Sequence, residues 1–427
     1  MNQFSTLILI FLVIAFFLRV DFVFYIIYVC IGVYAWSRWV VPRAARNLHS
    51  GRTYATHSFW GELVPITIHL KNEGRLPLPW VRVTESVAVQ LRQGPPVNTV
   101  VALGHKKQVD LTYTIAARRR GFYQIGPLRL TMGDLFGIQP ERHAQLPAEY
   151  ITIYPRIIPL VRLGLPSRLP FGVLASQQRL FADPARPMGA REFRSGDSLR
   201  QINWKASAHT RQLLVRTYEP AISLETAVLL DLHTDSYTRQ SRANTIEWAI
   251  EVAASLAAHL VDQRQAVGLI SNGIDPLAVG EGAVFDENSG RLLHRTAVAL
   301  SENPTAWLPP AIPPRHGRNH LVKILERLAR IENENTVPLT TWVAEATAHL
   351  SWGVTILVIT SRGAEAVCQS LHRLARAGYN PILIAVEPDA NFGQVRERAR
   401  RLGFSAYHVA VPADLDRWRQ RNTSSFS

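Results

Sequence analysis

Cysteine is almost missing from this chain of 427 residues, which holds only Cys30 and Cys368. Two thiols so far apart make neither a disulfide framework nor a zinc site, and they suit a reducing compartment. Several enzyme signatures are missing too. There is no Gly-x-Ser-x-Gly elbow, no His-Glu-x-x-His helix and no Gly-rich phosphate loop ending in Gly-Lys-Ser/Thr, so the reactions built on those motifs have no support. Lysine is scarce beside arginine. Basic blocks are missing apart from Arg118-Arg119-Arg120, and no aromatic-plus-basic recognition motif occurs, although the formal charge is +14. Scattered arginine of this kind reads as lipid-facing charge and solvated surface before nucleic-acid binding.

Long apolar runs are present, and they lie at the start. Residues 4–18 are unbroken by charge. Arg19 and Asp21 interrupt, residues 22–36 resume, and Val40 and Val41 follow the polar pair Ser37 and Arg38. Crossing the hydrocarbon core takes about 20 residues at ~1.5 Å each. The expectation is a transmembrane hairpin of two helices over residues 1–41. A signal peptide fits less well, because no basic n-region precedes the run and no small-residue cleavage site follows it. Arg38, Arg43, Arg46 and Arg52 follow the second run with no acid before Glu62. By the positive-inside rule the soluble part is expected in the cytoplasm.

Residues 52–160 are expected to form one domain, and from Glu62 to Pro155 they carry a period of two. Val64, Ile66, Ile68 and Leu70 alternate with polar or turn residues, as do Val109, Leu111, Tyr113 and Ile115. Alternation buries one face of each strand, and short strands separated by Asn72-Glu73-Gly74 and Arg120-Gly121 predict an antiparallel β-sandwich. The Arg118–120 run reads as a solvated turn, with Asp134 as a candidate partner.

Residues 226–420 read differently. Ala227-Val228-Leu229-Leu230-Asp231 is a continuous apolar run closed by an acid, as expected for a strand buried on both faces. Apolar residues then recur at helical spacing over 246–260. Strands at 266–270, 354–359, 381–386 and 405–411 alternate with helices at 319–331, 340–350, 364–377 and around 395–402. This predicts a parallel sheet with helices on both faces, and ligands in such sheets sit at the carboxyl ends of strands. Asp231, His233 and Asp235 stand at one such end, with Thr360 and Arg362 after a later strand.

Between these regions lies a junction, residues 161–225. It carries Arg191-Glu192-Phe193-x-x-Gly196-Asp197-x-x-Arg200-x-Ile202-Asn203-Trp204-Lys205-Ala206-Ser207-Ala208. Its spacing predicts a short helix capped by Asp197, with Leu199, Ile202 and Ala206 inward. Trp204 is expected to help fix the relative orientation of the soluble domains. The pattern resembles the bacterial membrane protein family called domain of unknown function 58. Two further pieces agree. Arg119-Arg120-Gly121 leads into Gly133-Asp134-Leu135-Phe136-Gly137, which resembles the family's Asp-Pro-Phe-Gly-Leu turn with Leu135 in place of proline. Ile153-Tyr154-Pro155-Arg156 resembles its Val-Tyr-Pro step.

The resemblance implies a von Willebrand factor A-like α/β domain, an inner-membrane location and partnership with a MoxR-type AAA+ ATPase. It implies a non-enzymatic adaptor in assembling or maturing other proteins. It also implies a Mg²⁺ site where the first strand ends Asp-x-Ser-x-Ser. Here Asp231 matches the first ligand and Asp235 still offers oxygen, but His233 replaces the first serine and an imidazole suits Mg²⁺ poorly. The reading preferred is a metal-free rim, with Asp231 or Asp235 paired to Arg362. The alternatives are a hydrolase with an altered metal site at Asp231, His233 and Asp235, and a membrane-associated nucleic-acid binder.

Overall fold

Helix α1 (Asp21–Arg46) runs through 26 residues, past Arg38 and Pro42, rather than stopping at Val41. Its continuation has a packing cause. Ser37, Val40 and Ala44 recur at helical spacing on one face and are buried, Ala44 within an apolar cluster of the strands that follow. Residues Tyr25–Arg46 are long and apolar enough to cross a membrane. The computed structural model describes Thr6, Ile10, Val13 and residues 21–138, 140–160, 182–193, 202–220, 225–279, 283–286, 291–294 and 308–417. Most of the expected first helix of the hairpin therefore lies outside the described residues.

The described chain divides into two units, one holding residues 1–156 and 280–295, the other 157–279 and 296–427. In the first, β1 (Leu48–Thr53), β2 (His57–Ser58), β3 (Leu63–Asn72), β4 (Leu78–Val87), β5 (Asn98–Leu103), β6 (Gln108–Ala116), β7 (Gly121–Gly133), β8 (Arg142–Leu146) and β9 (Glu149–Ile153) follow in order. They make a three-stranded sheet, β1-β3-β6, and a sheet ordered β2-β9-β7-β4-β5 with β8 also on β7. Ile66 and Ile68 of the first sheet share buried clusters with Tyr123, Ile125, Val81 and Leu130 of the second. The alternation read in β3 holds at every expected position. In β6 only Ile115 is fully buried, because β6 is an edge strand.

One polar cluster interrupts this core. Arg52 and Glu85 meet at 2.6 Å with both side chains wholly buried, and Glu149 lies 3.5 Å from the same guanidinium. Burial raises the Glu85 carboxyl above its usual range, although Arg52 opposes the shift. The Tyr54 hydroxyl is pushed up to about 12 by burial and then by Glu149. The arginine turn differs from its expectation: Arg118 and Arg119 are exposed but Arg120 is buried.

The second unit opens with an antiparallel pair, β10 (Ala182–Glu192) and β11 (Leu214–Pro220), with α2 (Trp204–Thr210) between them. Then come β12 (Glu225–Leu230), α3 (Arg242–Asp262), β13 (Ala266–Ser271) and the short α4 (Pro276–Val279). The hairpin of β14 (Ala283–Phe285) and β15 (Leu292–His294) belongs to the first unit, where Phe285 stacks on Tyr150 at 5.2 Å. The second unit resumes with β16 (Ile312–Arg315), α5 (Arg318–Arg330), α6 (Leu339–Thr347), β17 (Thr355–Thr360), α7 (Glu365–Arg376), β18 (Asn380–Ala385), α8 (Phe392–Arg401), β19 (Ser405–His408) and α9 (Pro412–Arg417).

Its sheet is ordered β16-β13-β12-β17-β18-β19, with β16 antiparallel at one edge and the other strands parallel. Ala227, Leu229, Ile356, Val358 and Leu383 pack with α6, α7 and α8. The intervening Val228, Leu230, Leu357, Ile359 and Ile384 are equally buried and face the other way, the side on which α3 and α5 contact the strands. Helices therefore cover both faces, which is why these strands read as unbroken apolar runs.

Candidate functional site

Chain order around this sheet reverses at β12. From there the connections run outward to β13 and β16 on one side, then to β17, β18 and β19 on the other. In open α/β sheets such a reversal leaves a crevice beyond the carboxyl ends of the strands. Asp231 follows β12 there, and Thr360 closes β17 beside it.

The Asp231 side chain is fully buried, and its oxygens are engaged by this chain's own donors. Thr360 Oγ1 donates to Oδ2 at 2.8 Å. Asn272 Nδ2 donates to Oδ1 at 2.8 Å, and the backbone N–H of His233 donates to the same oxygen at 3.2 Å. The Tyr237 hydroxyl donates to the Asp231 carbonyl at 2.5 Å. Burial, then the charges of Asp231 and Glu387, hold that phenol well above its usual range, so it remains a neutral donor. A buried carboxylate is tolerated only with such satisfaction.

Asn272, just past β13, is the hub of this network. Its Oδ1 accepts from Leu232 N at 2.6 Å, and its Nδ2 also donates to Val337 O at 3.0 Å. Thr336 Oγ1 donates to its carbonyl at 2.5 Å. Three segments, 231–233, 272 and 336–337, are thereby tied together. Sequence reasoning missed Asn272, Tyr237 and Glu387. The strand-end rule that singled out Asp231 would have found two of them, since Asn272 follows β13 and Glu387 follows β18.

Arg362 is placed differently from its expectation. Its Nε lies 3.1 Å from Glu387 Oε2, and its Nη2 donates to Thr238 Oγ1 at 3.0 Å. The expected partners, Asp231 and Asp235, are engaged or placed elsewhere: Asp231 accepts from Thr360, Asn272 and His233 N, and Asp235 sits exposed on the turn Thr234–Ser236. Glu387 is buried and is further held by Ser241 Oγ at 3.0 Å.

These residues fit a Mg²⁺ ion poorly. Both Asp231 oxygens already accept hydrogen bonds within the fold, and the His233 ring is buried with Nδ1 unpartnered, an imidazole rather than a hard oxygen donor. Among the described residues no group of three His, Cys, Asp or Glu side chains is arranged to hold a metal ion.

The junction motif is only partly described. Gly196, Asp197, Leu199 and Arg200 lie outside the described residues. The described helix α2 is capped by Asn203, whose Oδ1 accepts from Ala206 N at 3.3 Å. Arg191 and Glu192 end β10 and pair in register with Val215 and Leu214. Ile202 is buried as expected and Ala206 is half-buried. Lys205 is exposed, and Trp204 is 66% exposed. The reason is helical phase: Ser207, not Trp204, faces β11 and donates to Leu214 O.

Comparison with known proteins bears on this same stretch. Residues 189–281, which hold the junction motif, Asp231 and Asn272, match the family described as Protein of unknown function DUF58. The Uncharacterized protein YeaD of Bacillus subtilis (strain 168) is 20% identical over 272 residues, covering 60% of this chain and 62% of that protein. The chain thus matches about three fifths of that relative's length. Among solved structures, the CARDB domain of the PF1109 protein from Pyrococcus furiosus, in complex with di-metal ions, is 18% identical, with a TM-score of 0.18. That match covers 25% of this chain and 91% of that one. Beta-glucosidase from Listeria innocua is 10% identical, covering 25% and 16%, with a TM-score of 0.17. At those scores neither likeness carries an argument.

Proposed function

We propose, from the premise that the chain belongs to the DUF58 family through residues 189–281, that it is a membrane-anchored, non-enzymatic adaptor. In this reading a two-helix hairpin anchors it in the inner membrane, and the soluble part faces the cytoplasm. The two sheets of the first unit form a β-sandwich. The six-stranded sheet is the core of a von Willebrand factor A-like domain whose rim docks a protein partner. The family resemblance makes a MoxR-type AAA+ ATPase the partner to test first.

One observation carries the docking reading. The acid that would anchor a metal is sealed in by Asn272, Thr360 and His233 N. Contact chemistry at the rim then falls to the exposed Asp235 and the half-exposed Arg362. A hydrolase centred on Asp231, His233 and Asp235 draws less support, because both Asp231 oxygens are already hydrogen-bonded within the fold and Asp235 stands exposed on the turn. The test is crosslinking in native membranes followed by purification through this chain. Capture of an AAA+ ATPase that is lost in the double variant Asp235→Ala, Arg362→Ala supports the proposal. Undiminished capture by that variant counts against the rim, and no ATPase in either sample counts against the partner.

A further inference from the structure

The turn after β7 points outward with its apolar side chains. Leu135 is 73% exposed and Phe136 is 66% exposed, in a segment that the adaptor reading leaves without a role. The turn is nevertheless firmly built. Asp134 Oδ2 accepts from Ile138 N at 3.1 Å, and the Asp134 carbonyl accepts from Trp80 Nε1 at 2.9 Å. Gly137 takes a positive φ of 67°, and a Cβ on Gly133 would stand 2.6 Å from the Trp80 ring. The geometry holds two bare apolar side chains at a fixed place.

That place is set by α1. Ser37 Oγ donates to Asp134 Oδ2 at 2.6 Å, so the turn sits against the helix at the level of Ser37. The far end of the helix's apolar stretch is marked by Asp21. Counting from Phe22 at ~1.5 Å per residue, a hydrocarbon layer of ~30 Å ends near Val41. Ser37 then lies within about 6 Å of the boundary, on its apolar side. Other features mark the same level. Trp36 and Trp39 are both exposed, as interfacial aromatic residues are, and Arg43 stacks over Trp39 at 3.9 Å. Arg38 is exposed beside them.

We propose that the Leu135-Phe136 turn is a second membrane contact, its two side chains seated in the interfacial layer of an anionic bilayer beside α1. The contact gives the first unit a second point of attachment to the membrane beside α1. This rests on the reading of α1 as a membrane span, and the test separates the two.

The full chain, with Cys30→Ser and Cys368→Ser, is reconstituted in phosphatidylcholine–phosphatidylglycerol vesicles. Single cysteines at Phe136, Tyr28 and Lys106 carry an environment-sensitive fluorophore, and nitroxide lipids serve as quenchers. Tyr28 lies on the exposed face of α1, and Lys106 is exposed beyond the C-terminal end of the helix, where its N–H bonds Gly74 O and the neighbouring Glu73 N–H bonds Asn47 O. A blue-shifted, lipid-quenched label at Phe136→Cys, with Lys106→Cys unquenched, is the expected result. A label at Phe136→Cys as wet as that at Lys106→Cys, with Tyr28→Cys still quenched, overturns the turn contact and leaves the span intact. Loss of quenching at Tyr28→Cys as well overturns both.

Discussion

Replacing Asn272 by alanine removes the side chain on which the strand-end network converges. Three hydrogen bonds go, to Leu232 N, Asp231 Oδ1 and Val337 O. Leu232 and Asn272 are fully buried, so the freed N–H has no water at hand. An unsatisfied buried group costs about 1–3 kcal/mol. Asp231 Oδ1 keeps the N–H of His233, which moderates the loss. Allowing for partial relaxation, the expected cost is about 3–5 kcal/mol. For a unit of this size each kcal/mol moves the melting temperature by about 2–4 °C, so a fall of roughly 10 °C is expected. Thermal unfolding of the full chain in detergent reads it. Asn272→Asp sharpens the test. It keeps an acceptor for Leu232 N but loses both donated hydrogen bonds and sets a second carboxylate against Asp231, so it should melt no higher than Asn272→Ala. A drop under about 2 °C for Asn272→Ala, where the network predicts several times that, would refute the reasoning.

Arg52→Met leaves Glu85 buried without its partner and should cost the first unit about 3–5 kcal/mol, measurable by denaturant titration. Burial raises the folded-state affinity of Glu85 for a proton. Its contribution is therefore fullest below the ordinary glutamate range and is lost as pH rises through the folded value, and Glu85→Gln should flatten the stability profile of the first unit over that window. Trp204→Ala, at a ring that is 66% exposed, should change stability by no more than about 0.5 kcal/mol.

The strands of both units were legible because each pattern has a single physical cause. Alternation in Val64, Ile66, Ile68 and Leu70 reports one buried face, and the solid run Ala227–Leu230 reports two. The helices α3, α5, α6, α7 and α8 followed from apolar spacing, while the short α4 did not. What failed was what depends on distant partners. The end of α1 was misplaced because Ser37, Val40 and Ala44 are held by strands that local hydropathy does not see. The edge strand β16, with Pro313 and Pro314 inside it, has no strand-like composition. Asp231 was found, but its partner Asn272 lies 41 positions away. Arg362 was assigned to the wrong acid because Glu387 enters the rim only through the pairing of β17 with β18. Asn203 caps the described helix, while the cap expected at Asp197 lies outside the described residues.

The central claim is that hydrogen bonds from this chain, and not a metal, hold Asp231 at the strand ends. Thermal unfolding of the full chain across a Mg²⁺ titration tests it most directly, with Asp231→Asn beside it. A ligand at 100 times its dissociation constant would stabilise the folded chain by about 2.7 kcal/mol. The network predicts no Mg²⁺-dependent rise in melting temperature in either protein. A rise of several degrees in the unaltered chain that disappears in Asp231→Asn would contradict it.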